Sequence, residues 1–403
     1  MAESLDPIDG VEGITVSLVR VVNDDNNVYL IGGNGAELSL GEGNADVTEI
    51  SSVKLGDRDV EFDFTDGKFT LIERLTVDDA GAKTFTVYGF AGDKKVIIYL
   101  SVTVSLPAEE VILVGTREVV LSDATQYSVD LGEYADGNVI NATFAGADAT
   151  YANGKLTLTA AFKTDTQKHG NQTLVVTLEK GGKYYAVNVK VLVVTKEIST
   201  YDELKAAVTH EVNQAKYGYY RLKTNIEQSW IDGAVNGDWN SDGSYGFRGT
   251  LDGNNCSITG TIATSGLIGT IGKGAIIKNV TITQNDYIAT RMIFGNSMIG
   301  ATLQNVIINV KGSGSANIPS TTGGLISGIF SYSSKLINVT INSQTTALDS
   351  LFGTGSYYSY PADYKPNTFD GCTINAKSLA GIAKVNGTVL PYKGVSGLTV
   401  TIG

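Results

Sequence analysis

The chain has 403 residues, 42% of them hydrophobic and 18% charged, with a formal net charge of −12. At roughly 100 to 200 residues per domain, that length predicts two to four domains. The apolar content excludes a disordered chain, and no window approaches the ~20 apolar residues that a membrane-spanning helix needs, so no membrane insertion is expected. Residues 1–105 hold 19 acids against eight bases, whereas residues 197–403 hold 13 against 14. With no basic stripe anywhere, nucleic acid is excluded as a partner.

The chain opens MAESLDPIDGVEG, acidic and without a basic or apolar leader region, and residues 1–9 read as an N-terminal tail without a signal peptide. Two Cys are too few for a disulfide framework. Gly, Thr, Val, Ile, Tyr and Asn dominate, a composition that suits strands joined by tight turns.

An internal repeat follows. Asp66-Gly67-Lys68-Phe69-Thr70-Leu71 returns as Asn153-Gly154-Lys155-Leu156-Thr157-Leu158, and Thr84-Phe85-Thr86-Val87 returns as Thr173-Leu174-Val175-Val176. The offset stays between 87 and 89 residues, so residues 10–105 and 106–196 read as two copies of one unit. Apolar and polar residues alternate at period two between Gly, Asp and Asn turns, which predicts a small β-sandwich for each copy. In this pattern the pair resembles the bacterial immunoglobulin-like modules of surface and virion proteins.

Thr200 with Glu203 forms a capping-box signature, and Leu204, Ala207, Val208 and Val212 make one apolar face, predicting a helix of about 14 residues from there. After the strand Tyr219-Tyr220-Arg221-Leu222 a second repeat begins. Asn255-Cys256-Ser257-Ile258 is matched by Asn279-Val280-Thr281-Ile282, Asn305-Val306-Ile307-Ile308 and Asn338-Val339-Thr340-Ile341, then by Gly371-Cys372-Thr373-Ile374 and Gly397-Leu398-Thr399-Val400. The spacings are 24, 26, 33, 33 and 26 residues. Such returns predict a right-handed parallel β-helix over residues 197–403, with stacked rungs about 4.8 Å apart.

This register puts Cys256, Val280, Val306, Val339, Cys372 and Leu398 in one core column, with Ile258, Ile282, Ile308, Ile341, Ile374 and Val400 in another. The asparagines 255, 279, 305 and 338 would form an amide ladder, and the helix would cap the first rung. Cys256 and Cys372, four rungs or about 19 Å apart, could not form a disulfide and should be free, buried thiols.

The run Phe247-Arg248-Gly249-Thr250-Leu251-Asp252-Gly253-Asn254-Asn255-Cys256-Ser257-Ile258-Thr259-Gly260 resembles the opening of β-helices in bacterial surface proteins with GLUG-type repeats. Ile198 to Leu204 and Tyr219 to Ile226 resemble that family's lead-in, although Asn255 and Cys256 stand where Gly and His are common. The resemblance implies an adhesion or display scaffold for residues 197–403.

No catalytic residue is expected. The two histidines, His169 and His210, fall in different modules and offer no triad and no His-based metal site. The acids of residues 197–403 do not recur at equivalent places on neighbouring rungs, as a glycosidase pair would. A β-helix polysaccharide-degrading enzyme is therefore the least favoured reading.

Asp238, Asn240, Asp242 and Gly243 match the start of a calcium loop, but Gly249 occupies the twelfth position; calcium is the one cofactor considered, against a plain Asx-rich surface loop. Tyr357, Tyr358, Tyr360 and Tyr364, in an insertion with Pro361 and Pro366, offer flat amphipathic area to a sugar or a protein, or pack the loop on the flank. Trp239 and Tyr245, near Trp230 and Phe247, form a second candidate patch.

The expected protein is a non-enzymatic structural and adhesion protein on an exterior surface. Its first version is a phage virion component such as a head fibre, decoration protein or tail-associated adhesin, and its second a module of a bacterial cell-surface adhesin. The expected partners are other virion or surface proteins and a host glycan or receptor; a virion fibre would add two further copies in a homotrimer, whereas an adhesin module or a decoration protein would be a monomer.

Overall fold

The computed structural model describes the chain except for residues 1–15, 30–35, 39, 41–43, 66–67, 73–74, 76–78, 80, 93, 106–107, 212, 232–242, 263–265, 286–291, 312–323, 354–364 and 386–387. The described residues are overwhelmingly strand. By contact density the chain divides into two compact units, residues 1–112, 136–142 and 175–188 in one and residues 113–135, 143–174 and 189–403 in the other.

The described strands before residue 195 fall into two runs of eight. The first copy runs β1 (Val16–Tyr29), β2 (Ala36–Leu38), β3 (Glu49–Leu55), β4 (Arg58–Asp59), β5 (Phe62–Thr65), β6 (Lys68–Leu71), β7 (Gly81–Ala91) and β8 (Lys94–Ser105). The second runs β9 (Glu109–Val120), β10 (Gln126–Ser128), β11 (Asn138–Phe144), β12 (Ala147–Asp148), β13 (Thr150–Ala152), β14 (Lys155–Thr157), β15 (Gly170–Lys180) and β16 (Lys183–Val194). Each copy builds a five-stranded sheet, β1-β8-β7-β3-β4 or β9-β16-β15-β11-β12, and a three-stranded one, β2-β6-β5 or β10-β14-β13. In the first copy, Phe85, Val87, Ile98 and Leu100 of the large sheet share one core with Leu38, Phe69 and Leu71 of the small sheet. Alternation explains this, because period two turns every second side chain of a strand inward. Leu156, Leu174 and Val176 are fully buried at the matching positions of the second copy.

A short helix not expected from the sequence, α1 (Ala160–Thr164), lies between β14 and β15, with the Thr159 hydroxyl accepting from the Phe162 amide. The expected helix is α2 (Tyr201–Val208), with its capping box formed: Glu203 N–H donates to Thr200 Oγ1 at 3.2 Å, and Glu203 Oε2 accepts from Thr200 N–H at 3.3 Å. It is eight residues long rather than about 14. The β-branched Thr209 turns to extended backbone, and its hydroxyl donates to the Lys205 carbonyl, ending the helix. Leu204, Ala207 and Val208 are buried in the same core as the strands that follow.

Those strands form one 18-stranded sheet in which all but one of the described pairings are parallel. Strands return in three sets. One pairs Lys196–Ile198 with Tyr219–Leu222, then with Thr250–Asp252, and continues to Thr368–Asp370. Another runs from Ile226–Ile231 to Leu398–Ile402. The third includes Gly246–Phe247, Gly269–Ile271 and Gly295–Ile299. Ile258 pairs with Ile282, Ile282 with Ile308, Ile308 with Ile341, Ile341 with Ile374 and Ile374 with Val400, the expected column. Val280 with Val306 and Cys372 with Leu398 belong to the other column.

The recurring Asn or Gly before each returning strand has a backbone cause. Asn255, Asn279, Asn305, Asn338, Gly371 and Gly397 all have positive φ, from 52° to 76°. Only Gly and, less readily, Asn enter that left-handed region at low cost, so the corner selects them. At Gly397 the corner is also too tight for a side chain: a Cβ there would fall 2.0 Å from the Phe369 carbonyl oxygen.

Both cysteines are free thiols, as expected, but only Cys372 is buried; Cys256 is half-buried. The amide ladder also begins differently from the expectation. Asn338 donates to Asn305 Oδ1 at 3.2 Å, Asn305 to Asn279 Oδ1 at 3.0 Å, and Asn279 to Asp252 Oδ1 at 3.1 Å. Asp252 thus takes the place expected for Asn255, because the first corner carries two extra residues and moves Asn255 out of line.

Candidate functional site

Of the candidate contacts, only Tyr245 is described. Tyr357, Tyr358, Tyr360, Tyr364 and Trp239, and the calcium candidates Asp238, Asn240 and Asp242, lie outside the described residues. Tyr245 is half-buried, two residues before Phe247, which is fully buried in the core and cannot serve a surface patch. Trp230 is 47% exposed on the strand Ile226–Ile231, paired with Thr261.

The strands that follow Trp230 align two columns of mostly polar side chains, with Thr283 buried and Ile307 apolar among them. Ser257 aligns with Thr281, Ile307, Thr340, Thr373 and Thr399; two positions along, Thr259 aligns with Thr283, Asn309, Asn342, Asn375 and Thr401. Asn375 donates to Asn342 Oδ1 and Asn342 to Asn309 Oδ1, both at 2.9 Å. This face offers hydroxyls and amides in register, with the exposed Glu227 aligned with Thr259 at its start. It can recognise a polar neutral partner by hydrogen bonds; it lacks the paired carboxylates of a hydrolase.

Charge is collected instead at the start of the parallel sheet. Glu197, Arg221, Asp252 and Lys278 align on successive returns. Arg221 donates through Nη1 and Nη2 to Glu118 at 2.5 and 2.8 Å, and through Nη2 to Glu197 at 2.6 Å. Lys223 lies 3.4 Å from Glu197. The guanidinium holds the Glu197 carboxyl below its ordinary range. Tyr219 donates its hydroxyl to Asp252 Oδ2 at 2.5 Å, under Lys278, whose ammonium sits 5.2 Å from the Tyr219 ring and 3.3 Å from Asp252. Burial pushes the Asp252 carboxyl up, but hydrogen bonds from Tyr219, Asn254 and Asn279 and the charge of Lys278 outweigh it and hold the group low. Burial, reinforced by Asp252, pushes the Tyr219 hydroxyl up in turn. The cluster's carboxylates, the Tyr219 hydroxyl and both terminal guanidinium nitrogens of Arg221 link strands, so it reads as a structural knot, although Arg221 Nε is buried without a hydrogen-bond partner.

Sequence reasoning missed this cluster. Asp252 sits in an Asp-Gly turn, where turn-making suffices as an explanation, and Glu118 is 103 positions from Arg221. The 24-residue spacing of Glu197 and Arg221 was the one available signal.

His169 is bound on both ring nitrogens: Nε2–H donates to the Phe162 carbonyl at 3.2 Å, and Nδ1 accepts from the Thr195 hydroxyl at 2.8 Å. The same hydroxyl accepts from Tyr219 N–H at 2.8 Å. Burial holds the imidazole below its ordinary pKa, so it stays neutral. His210 is buried just past α2 rather than on it. Among the described residues no three of His, Cys, Asp and Glu come together as metal ligands, and no helix is long and apolar enough to cross a membrane.

No protein-family model matches the chain, and no curated protein does. Among solved structures it is similar to a titin A168–A169 fragment, at 13% identity over 42% of this chain and 94% of that one, with a TM-score of 0.18. It is similar to the N-terminal four Ig domains of Dscam1, at 8% identity over 43% of each chain, TM-score 0.18. It is also similar to an endo-fucoidan hydrolase of glycoside hydrolase family 107, at 17% identity over 45% of this chain and 28% of that one, TM-score 0.15. Likeness at these scores decides neither fold nor function.

Proposed function

We propose that the chain is a non-enzymatic structural and adhesion protein carried on an exterior surface, with residues 10–105 and 106–196 as two immunoglobulin-like β-sandwiches and residues 197–403 as a right-handed parallel β-helix capped by α2. The observation that carries this reading is the register of the parallel sheet. A single column runs from Ile258 to Val400 without a slip, so the neighbouring Thr and Asn columns form a regular, largely uncharged face suited to display. In the first version the surface is a phage virion, as a head fibre, decoration protein or tail-associated adhesin. The likeness of the Phe247–Gly260 segment to GLUG-type openings favours the second version, a bacterial cell-surface adhesin.

The acidic residues 1–105 dock or space, and the neutral β-helix contacts host glycan or receptor. Immunogold labelling with antibody against the chain, on purified particles and on intact cells of the source, tests this. Label on particles supports the virion version, label on cells the adhesin version, and label on neither overturns both. Deleting residues 1–105 should abolish incorporation and leave ligand binding intact. Light scattering of the purified chain should give a trimer, near three times 42.5 kDa, for a virion fibre.

A further inference from the structure

A cleft of about 430 Å³ opens in the second copy, in the size range of small-molecule sites. Its floor is the Phe144 ring, which is buried and packed against Phe162 with centroids 5.1 Å apart. Thr150 and Thr157, directly paired across β13 and β14, put two hydroxyls on one wall. Asp148 stands exposed at the rim, and Asp165 at the other side is paired with Lys168 at 3.2 Å.

The two copies differ at this place. In the first copy Leu55 pairs with Arg58 across the β3–β4 hairpin, and Arg58 Nη2 reaches both carboxylate oxygens of Asp79 at 3.1 Å, bridging the hairpin to the segment before β7. In the second copy the same hairpin position, opposite Phe144, is Ala147. The segment before β15 carries Lys168, which turns to its neighbour Asp165. The strut is gone, and small residues leave the space unfilled.

We propose that this cleft is a saccharide-binding site, taking one or two neutral sugar rings. The half-exposed Phe162 ring supplies an apolar surface for the C–H face of a sugar. The paired threonines and the Asp148 carboxylate supply hydrogen-bond partners, the carboxylate accepting from sugar hydroxyls. A hydroxyl-rich, uncharged ligand fits this lining better than an acyl chain, which would leave the threonines and Asp148 unmatched. The choice of ligand class rests on the surface-adhesion reading, which the labelling experiment tests separately.

The test is saturation-transfer NMR and calorimetry on the full chain with glucose, galactose, mannose, N-acetylglucosamine, lactose, maltose and cellobiose. At least one should bind with millimolar or tighter affinity. Ala147→Arg, which restores the first copy's side chain, should abolish that binding, and Asp148→Asn should weaken it about tenfold. Both positions are exposed, so circular dichroism and thermal unfolding should be unchanged. If Ala147→Arg misfolds, Ala161→Trp at the helix start fills the same space and must give the same loss. No binding by any of the seven sugars, or binding that survives both filled variants, overturns the proposal. A sugar that binds normally to a chain absent from both surfaces would leave the cleft standing and remove the display reading.

Discussion

Arg221 grips Glu118 with two guanidinium nitrogens, at 2.5 and 2.8 Å, across 103 residues of chain, while the same guanidinium holds Glu197 on the neighbouring strand. One cation thus serves two carboxylates from different strands. Removing it leaves Glu197 partly buried beside Lys223 alone.

Arg221→Met should cost about 2 kcal/mol, because an engaged charge loses its partner. Glu118→Gln should cost under about 1 kcal/mol, since Glu118 is 43% exposed and water screens the pair. Both tryptophans, Trp230 and Trp239, fall in residues 197–403, so urea unfolding followed by tryptophan fluorescence reads the part of the chain that holds Arg221.

Stability should fall in two steps on acidification. Asp252 and Glu197 have folded pKa values below their ordinary ones, so their contribution is full above the carboxylate range and is lost as pH falls through the folded values, below about pH 4. His169 is also held low, so its neutral form stabilises the fold above about pH 6.5 and that share fades as pH falls below it. Urea midpoints between pH 3 and pH 8 should show both steps. Asp252→Asn should flatten the lower one and His169→Gln the upper; unchanged profiles would contradict the assignment.

At Asn305 the corner and the ladder can be separated. Asn305→Gly keeps the left-handed backbone and loses the amide bonds to Asn279 and Asn338, whereas Asn305→Ala loses both. Alanine should therefore be the more destabilising by about 1 kcal/mol, from the left-handed penalty on a residue with Cβ. Equal urea midpoints for the two variants would show that the corner imposes no such demand.

The thiols should differ in reactivity. In native buffer a thiol reagent should modify half-buried Cys256 and leave buried Cys372 intact, with both reacting after denaturation. Mass spectrometry of the non-reduced chain should show no disulfide.

Much of the parallel sheet was legible because it is written as a period. The corner demands positive φ, only Asn and Gly meet that demand cheaply, and the next inward side chain must fill the same column; each constraint acts within a few residues and repeats. The duplication was legible for the same reason, through turn residues and alternation that recur at 87 to 89 positions. The length of α2 was not, since Val208 and Thr209 end it by a backbone turn that an apolar pattern does not register.

What the sequence determined by itself was therefore the strand content, the register from Ile258 to Val400 and the two free thiols. The tertiary structure alone decided that Asp252, besides making its turn, is a buried acceptor for Tyr219 and Asn279, that Phe247 faces inward, and that Glu118 meets Arg221. It alone set Ala147, where the first copy has Arg58, opposite Phe144 at a cleft. Those outcomes depend on strands distant in sequence lying side by side, and no local pattern encodes which side chains such neighbours bring together.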